Sequence, residues 1–252
     1  MSFYSFVDLV EFSRFTFVRP KLWDDKYEGF IFQKLKKDDG IKEIASLIRK
    51  NQIGLNVEIF LSFADKYEKT FYSQCWTRNK ESDAMWKSYN YENNAVKIEI
   101  DLSLLSKLSN VDYMEIEYYD SLNLEDELKR AGLLNNTINI AQMFKVKRTA
   151  FSHENEIRLY TIDNNALNDK SEEEIYQFKH GLLKANMGNV YNDILTRQSK
   201  DIKYIDIPDL SSNIISVQLH PNTADWFDKT VSEYCKKNKL NYIGKSRLYA
   251  NP

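Results

Sequence analysis

Turn-forming residues are scarce in this chain. It holds 7 Gly and 4 Pro in 252 residues, too few for a collagen-like or linker-rich design with long structureless loops. Cysteine is nearly absent: Cys75 and Cys235 lie far apart with no paired ligand spacing. That excludes a disulfide framework and fits a reducing, cytoplasmic setting. His153, His180 and His220 form no HExxH and no Cys/His cluster, so no metal is expected. No run reaches the roughly 18 apolar residues of a membrane span. The opening MSFYSFVDLVEF has no basic stretch of the signal-peptide kind. Neither a membrane partner nor an export signal is therefore expected. A net charge of −2 leaves no global basic field to hold nucleic acid. Without a GxGxxG or Walker loop, a Rossmann dehydrogenase or P-loop NTPase is disfavoured.

What is present describes a folded domain. Hydrophobic residues make up 42% and charged ones 29%, a globular balance, and a chain of this length buries a sizeable core without staples. Aromatics at 13% suit both a core and stacking on a base or sugar. The hydrophobic periods predict helices over 6–12, 40–50, 55–68, from Ser82, over 122–144 with a break near Asn135–Asn136, and over 223–239. Ser171 and Glu174 form a capping box for a further helix reaching about 198. Strands are predicted over 14–18, 71–77, 95–101, 113–120, 156–162, 203–207, 214–219 and 241–249. Short links suit antiparallel neighbours. The expectation is α+β, a single domain over 1–252 with a mixed, mainly antiparallel sheet and helices packed on it.

Residues two apart on a strand share a face. Glu154, Glu156, Arg158 and Tyr160 are thus expected together, with Ile157 and Leu159 turned to the core and the carboxylates roughly 6–7 Å apart. Two readings stand: a solvated ion-pair ladder, or one wall of a cleft. Trp76 and Trp86 are either core residues or, with Tyr89, a stacking wall. On strand 71–77, Ser73, Cys75 and Thr77 share a face opposite Gln74 and Trp76. Asp25 and Glu28 either satisfy a turn or line the same pocket. Arg14 or Arg19 flanks a strand or grips a pyrophosphate. The run Lys145, Lys147, Arg148 meets phosphate or a nucleic-acid backbone, or is a solvated helix C-terminus. Cys75 is disfavoured as a nucleophile, and His153 has no evident triad partner.

Four segments carry a resemblance: RFTFVRPKLWDDKYEG (14–29), QCWTRNKESDAMWKSY (74–89) with NAVKIEID (94–101), KRTAFSHENEIRLY (147–160) and SRLY (246–249). Together they resemble the bacterial domain-of-unknown-function family 2971 over nearly the whole chain. Asp25, Tyr27, Glu28, Cys75, Trp76, Met85, Trp86, Tyr89, Lys147, Glu154, Glu156 and Arg158 match that pattern, with Phe151 in its aromatic slot. Asp24, Lys26 and Thr77 depart from it. The family's first aromatic-basic-aromatic strand has only Tyr4 as a stand-in here, which leaves Arg14 as its basic substitute.

The Glu-x-Glu strand also resembles the catalytic strand of ADP-ribosyltransferases. That resemblance implies Glu156 as the catalytic residue and Glu154 as its helper. NAD would be the substrate, held by Arg14, Ser73, Trp76, Trp86, Tyr89 and Arg158, with Asp25, Glu28 and Lys147 as further pocket residues. The acceptor would be a protein or nucleic acid, in phage defence or a toxin–antitoxin system. Two alternatives remain open: a ligand- or partner-binding module without chemistry, and a metal-dependent nuclease built on carboxylate pairs.

Overall fold

The computed structural model describes residues 1–25, 27–51, 57–89, 94–121, 123–132, 139–162 and 201–250. The helix expected from the capping box Ser171–Glu174 lies outside the described residues. Helix α1 (Phe3–Phe12) starts where Ser2 accepts the Ser5 N–H at 3.1 Å and ends at Ser13 in the left-handed region, a serine cap satisfying an orphan donor. Strand β1 (Arg14–Val18) follows, and Pro20 ends it in a short 3-10 turn. Three helices come next: α2 (Phe30–Leu35), α3 (Asp38–Lys50) and α4 (Val57–Thr70). Then come β2 (Phe71–Thr77), α5 (Asp83–Ser88) and β3 (Val96–Ile100). Ser82 caps α5 by accepting the Met85 N–H.

Two expectations are corrected in the middle of the chain. The strand predicted over 113–120 is two strands, β4 (Asp112–Glu115) and β5 (Glu117–Tyr119). The break falls where the backbone changes partner: the Ile116 N–H donates to the Glu156 carbonyl at 3.0 Å and the Glu117 N–H to that of Lys145 at 2.8 Å. Of the helix predicted over 122–144, the described residues form a short α6 (Leu124–Arg130), and the expected break near Asn135–Asn136 lies outside the described residues. Gly132, at φ 72°, turns the chain out of α6, the left-handed ending that glycine reaches without a Cβ penalty. A 3-10 stretch covers Ile140–Phe144.

The remaining elements are β6 (Val146–Arg148), β7 (Glu156–Ile162), β8 (Ile202–Asp206), α7 (Leu210–Asn213), β9 (Ile214–Leu219), α8 (Asp225–Lys237) and β10 (Tyr242–Lys245). β4, β7, β2, β1 and β8, in that order, form a five-stranded antiparallel sheet. β10, β9 and β3 form a second sheet, and β5 pairs with β6 in parallel. The fold is α+β with mainly antiparallel pairing. No helix among the described residues is long and apolar enough to cross a membrane.

Both faces of the five-stranded sheet are covered. Trp23, Phe32, Ile44, Phe60, Phe71, Leu128 and Phe144 form the core on one face. Phe6, Phe15, Phe17, Tyr72, Val96, Ile157, Leu159, Val217 and Phe227 form the core on the other, beneath the three-stranded sheet, α1 and α8. Adjacent residues of β2 fall into different cores, Phe71 into the first and Tyr72 into the second, as the two-residue period of a strand requires. Each such Phe contributes roughly 1.5–3 kcal/mol on burial.

Candidate functional site

β2 and β7 pair along all of β2, and Cys75 faces Arg158 while Thr77 faces Glu156. The period therefore places Ser73, Cys75, Thr77, Glu156, Arg158 and Tyr160 on one face. Glu154 is not on the strand, which corrects the expected run of four. It ends a 3-10 turn (Thr149–Glu154), and Asn155, at φ 43°, reverses the chain before β7 begins at Glu156. The turn is tied to the end of β2. Thr77 Oγ1 donates to the Glu154 carbonyl at 2.5 Å, and Asn79 Nδ2 to that of His153 at 2.8 Å. Glu154 thus returns to the strand's polar face by a different route.

A buried ionic cluster results. The Arg158 guanidinium is fully buried. It donates from Nε to Glu156 Oε1 at 2.8 Å, from Nη2 to Glu28 Oε2 at 2.6 Å and from Nη1 to the Phe144 carbonyl at 2.8 Å. It also lies 4.2 Å from the centre of the Trp23 ring. Lys147 Nζ is surrounded by three carboxylates: Glu154 Oε2 at 2.6 Å, Glu28 Oε1 at 3.0 Å and Glu156 Oε2 at 3.2 Å. Arg148 pairs with Asp25 at 2.9 Å and stacks 4.2 Å from the Tyr27 ring. The solvated-ladder reading of this strand therefore falls.

Desolvation pushes each buried ion toward its neutral form, and opposite charges push back. Burial raises the Glu156 carboxyl, but Arg158 and Lys147 outweigh it and hold the group below its ordinary range. Burial lowers Lys147, but Glu156, Glu28 and Glu154 outweigh it and hold the ammonium above its ordinary range. Arg158 is likewise raised, by Glu156 foremost among its neighbours. At neutral pH, Glu156 is a fixed anion and Lys147 and Arg158 are fixed cations. Cys75 is exposed where it opens beside the cluster, yet the protein packed around its thiol pushes that group up, far from a thiolate.

The cluster borders a cavity of about 450 Å³. Glu154 and Glu156 line it, as do Trp76, Trp86 and Tyr89, with β3 and the following turn as the opposite wall. Trp86 is buried; its indole N–H donates to Glu81 at 2.8 Å and its ring meets His220 edge-on at 5.5 Å. Trp76 is half-buried and packs edge-on against Phe15 at 5.5 Å. The two tryptophans combine both readings, being packed against the core while presenting surface to the cavity. The cavity follows from a divergence of strands. Among the described residues β2 meets β1 only at Val18↔Ser73. The Arg78 N–H donates to the Asn155 carbonyl at 3.1 Å, so the alternation of an antiparallel ladder turns the main-chain groups of Cys75 and Thr77 away from β7, toward the side β1 has left.

Several expected pocket residues lie elsewhere. Arg14 is ion-paired to Asp8 at 2.8 Å and stacks 3.6 Å from the Tyr204 ring. It does not line the cavity, because β1 carries it toward β8. Ser73 shares the polar face but is wholly buried, with no hydrogen-bond partner for its hydroxyl. Arg158, Lys147, Glu28 and Asp25 stand behind the cavity wall rather than in it. Arg19 is buried between Tyr72 and Asp201. The basic run is consumed internally, Lys145 on Glu117 at 2.7 Å, which corrects the reading of it as a phosphate site. Asn79, Glu81, Lys97 and Glu99 also line the cavity; they lie within segments 74–89 and 94–101 but are not among the residues that match the family pattern. The only signal near Asn79 and Glu81 is their place between a strand and a capped helix.

No protein-family model, curated protein or solved structure matches the chain.

Proposed function

We propose that the cavity binds NAD and that the chain is an ADP-ribosyltransferase-like effector. Its acceptor is a protein or nucleic acid, its setting is cytoplasmic phage defence or a toxin–antitoxin system, and its relatives are the domain-of-unknown-function family 2971. One observation supports this reading above the others. A cavity of about 450 Å³ has an aromatic wall, with Trp76, Trp86 and Tyr89, and an anionic wall, with Glu154 and Glu156. In the transfer, the bond between nicotinamide nitrogen and ribose C1′ breaks and its electron pair leaves with nicotinamide. The acceptor then bonds to C1′ and loses a proton. Positive charge develops on the ribose in between, and a preorganised carboxylate lowers that barrier. Glu156 suits the role because Arg158 and Lys147 keep it ionised and fixed. Glu154, adjoining the cavity, is the helper.

The test is nicotinamide release, with transfer of label from tagged NAD into lysate protein and nucleic acid. Replacing Glu156 by Gln keeps the shape and removes the charge, and a loss of roughly 100- to 1000-fold is expected. Equal labelling by both proteins excludes Glu156 as the catalyst.

A binding module without chemistry is favoured by a different observation. Both Glu156 oxygens are already ion-paired, and its side chain is 1% exposed, so contact with a ribose requires the cluster to open. NAD-induced thermal stabilisation with no nicotinamide release selects this second reading. The nuclease reading gains no support, because the carboxylates converge on the Lys147 ammonium rather than on an open point.

A further inference from the structure

The buried cluster is not neutral. Three carboxylates, Glu28, Glu154 and Glu156, face two cations, Lys147 and Arg158, leaving one formal negative charge over. Both oxygens of Glu28 are ion-paired, and so are both oxygens of Glu156. Glu154 gives Oε2 to Lys147, and its Oε1 has no hydrogen-bond or ion-pair partner among the described residues. The residue is 9% exposed and borders the cavity. The surplus charge is therefore located at one atom, next to the space a ligand would fill. That oxygen is not sealed from solvent but opens to the cavity, where a cation of the ligand replaces water as its partner.

Aromatic surface lines the same space. Trp86, with its ring orientation set by Glu81, and the partly exposed Tyr89 both lie on α5 or at its end. The face of an aromatic ring attracts a cation within about 6 Å of its centre. An anionic head would add to the surplus and be repelled. Lys80 and Lys97 also line the cavity, and cations of this kind suit phosphates.

We propose that the cavity selects its ligand by a positive charge on a flat aromatic head set against Glu154 Oε1, so that it accepts the pyridinium form of a nicotinamide and rejects the neutral form. This deepens the NAD reading and rests on it for the dinucleotide, though not for the head. Glu154 is a specificity-determining residue, and the oxidised and reduced dinucleotides are told apart by charge.

Calorimetry with four probes tests this on the whole chain: NAD⁺, NADH, 1-methylnicotinamide and nicotinamide, each with wild type and Glu154→Gln. The two small probes are both flat aromatics and differ in charge. Wild type is expected to prefer the cation in each pair by about tenfold or more, the scale of a desolvated cation–aromatic contact with a carboxylate partner. Glu154→Gln is expected to lose most of that preference while keeping a cooperative melt. Equal affinities within both pairs overturn the proposal, whether or not NAD binds. A preference that persists undiminished in folded Glu154→Gln overturns the assignment to Glu154. Preference for 1-methylnicotinamide over nicotinamide with no dinucleotide binding sustains the charge selection and removes the NAD reading. Binding of none of the four overturns both. If Glu154→Gln does not fold, the wild-type pairs alone still decide the charge selection.

Discussion

On one face of β2 and β7, Tyr72, Ile157 and Leu159 pack among aliphatic and aromatic side chains. On the other face of the same two strands, Ser73, Cys75, Glu156 and Arg158 are at the centre, three of them buried as deeply as the hydrophobes opposite. Burial is nearly equal on the two faces, but its energetic meaning is opposite. The apolar face gains by leaving water and has no directional demand. The polar face loses solvation and recovers it only through geometry, two oxygens at a time. A site maintained at that cost is where perturbed ionisable groups gather for function, and the cavity opens beside it rather than over the apolar face alone.

The largest effects should come from breaking this balance. Arg158→Ala leaves Glu156 and Glu28 facing one cation between them, and a loss of about 3–5 kcal/mol is expected in urea unfolding. Phe17→Ala on the opposite face should cost a similar 3–5 kcal/mol by leaving a cavity. The two losses differ in their rescue. Combining Arg158→Met with Glu28→Gln and Glu156→Gln removes the stranded charges together, so most of the Arg158 loss should return. A triple variant no more stable than Arg158→Ala would mean that the two faces are held by the same packing forces.

Acid separates the faces next. Glu156 has a lowered folded pKa. Its stabilising contribution is therefore present above the ordinary carboxylate value near 4.3 and is lost as pH falls through the lowered folded value. Lys147 is shifted upward, so its contribution is complete below about 10.4 and is lost as pH rises toward its folded value. The contributions of Glu156 and Lys147 to the urea midpoint should stay level between about pH 5 and 10 and fall on both sides, and Glu156→Gln should flatten the acid limb. A tenfold difference in proton affinity between the folded and unfolded chain is worth about 1.4 kcal/mol, enough to read in such a titration. A Glu156→Gln protein with the parent's acid limb would assign that limb to other carboxylates.

The two faces were also unequally legible in the sequence. Alternation placed Ile157 and Leu159 in the core and Glu156 with Arg158 on the other face, because a strand's period is local information. It could not show that Glu154 leaves the strand, since that depends on Asn155 reversing the chain. Nor could it show that Lys147 and Glu28, from two other elements, supply the missing partners. Cluster membership depends on contacts spanning up to 130 residues, which no local period encodes. The split of 113–120 at Ile116 was hidden for the same reason: its cause is a change of partner strand, while its own residues read as one strand.

Arg14 gives the smallest expected effect. The sequence offered it as the basic residue for a pyrophosphate, since it sits on the first strand in a motif-bearing segment. In the fold, β1 and β2 part beyond Val18↔Ser73 while β1 stays paired with β8, so the end of β1 carrying Arg14 travels away from the cavity. Its guanidinium is occupied by Asp8 and by the Tyr204 ring, at the β8 edge of the sheet. Arg14→Gln should leave ligand affinity and any nicotinamide release unchanged within assay error, in contrast to Glu154→Gln. Lys80→Gln and Lys97→Gln, which change cations lining the cavity, should weaken dinucleotide binding while sparing 1-methylnicotinamide. If Arg14→Gln instead abolishes dinucleotide binding, the ligand reaches across β1, and the cavity bordered by Glu154 is only part of its site.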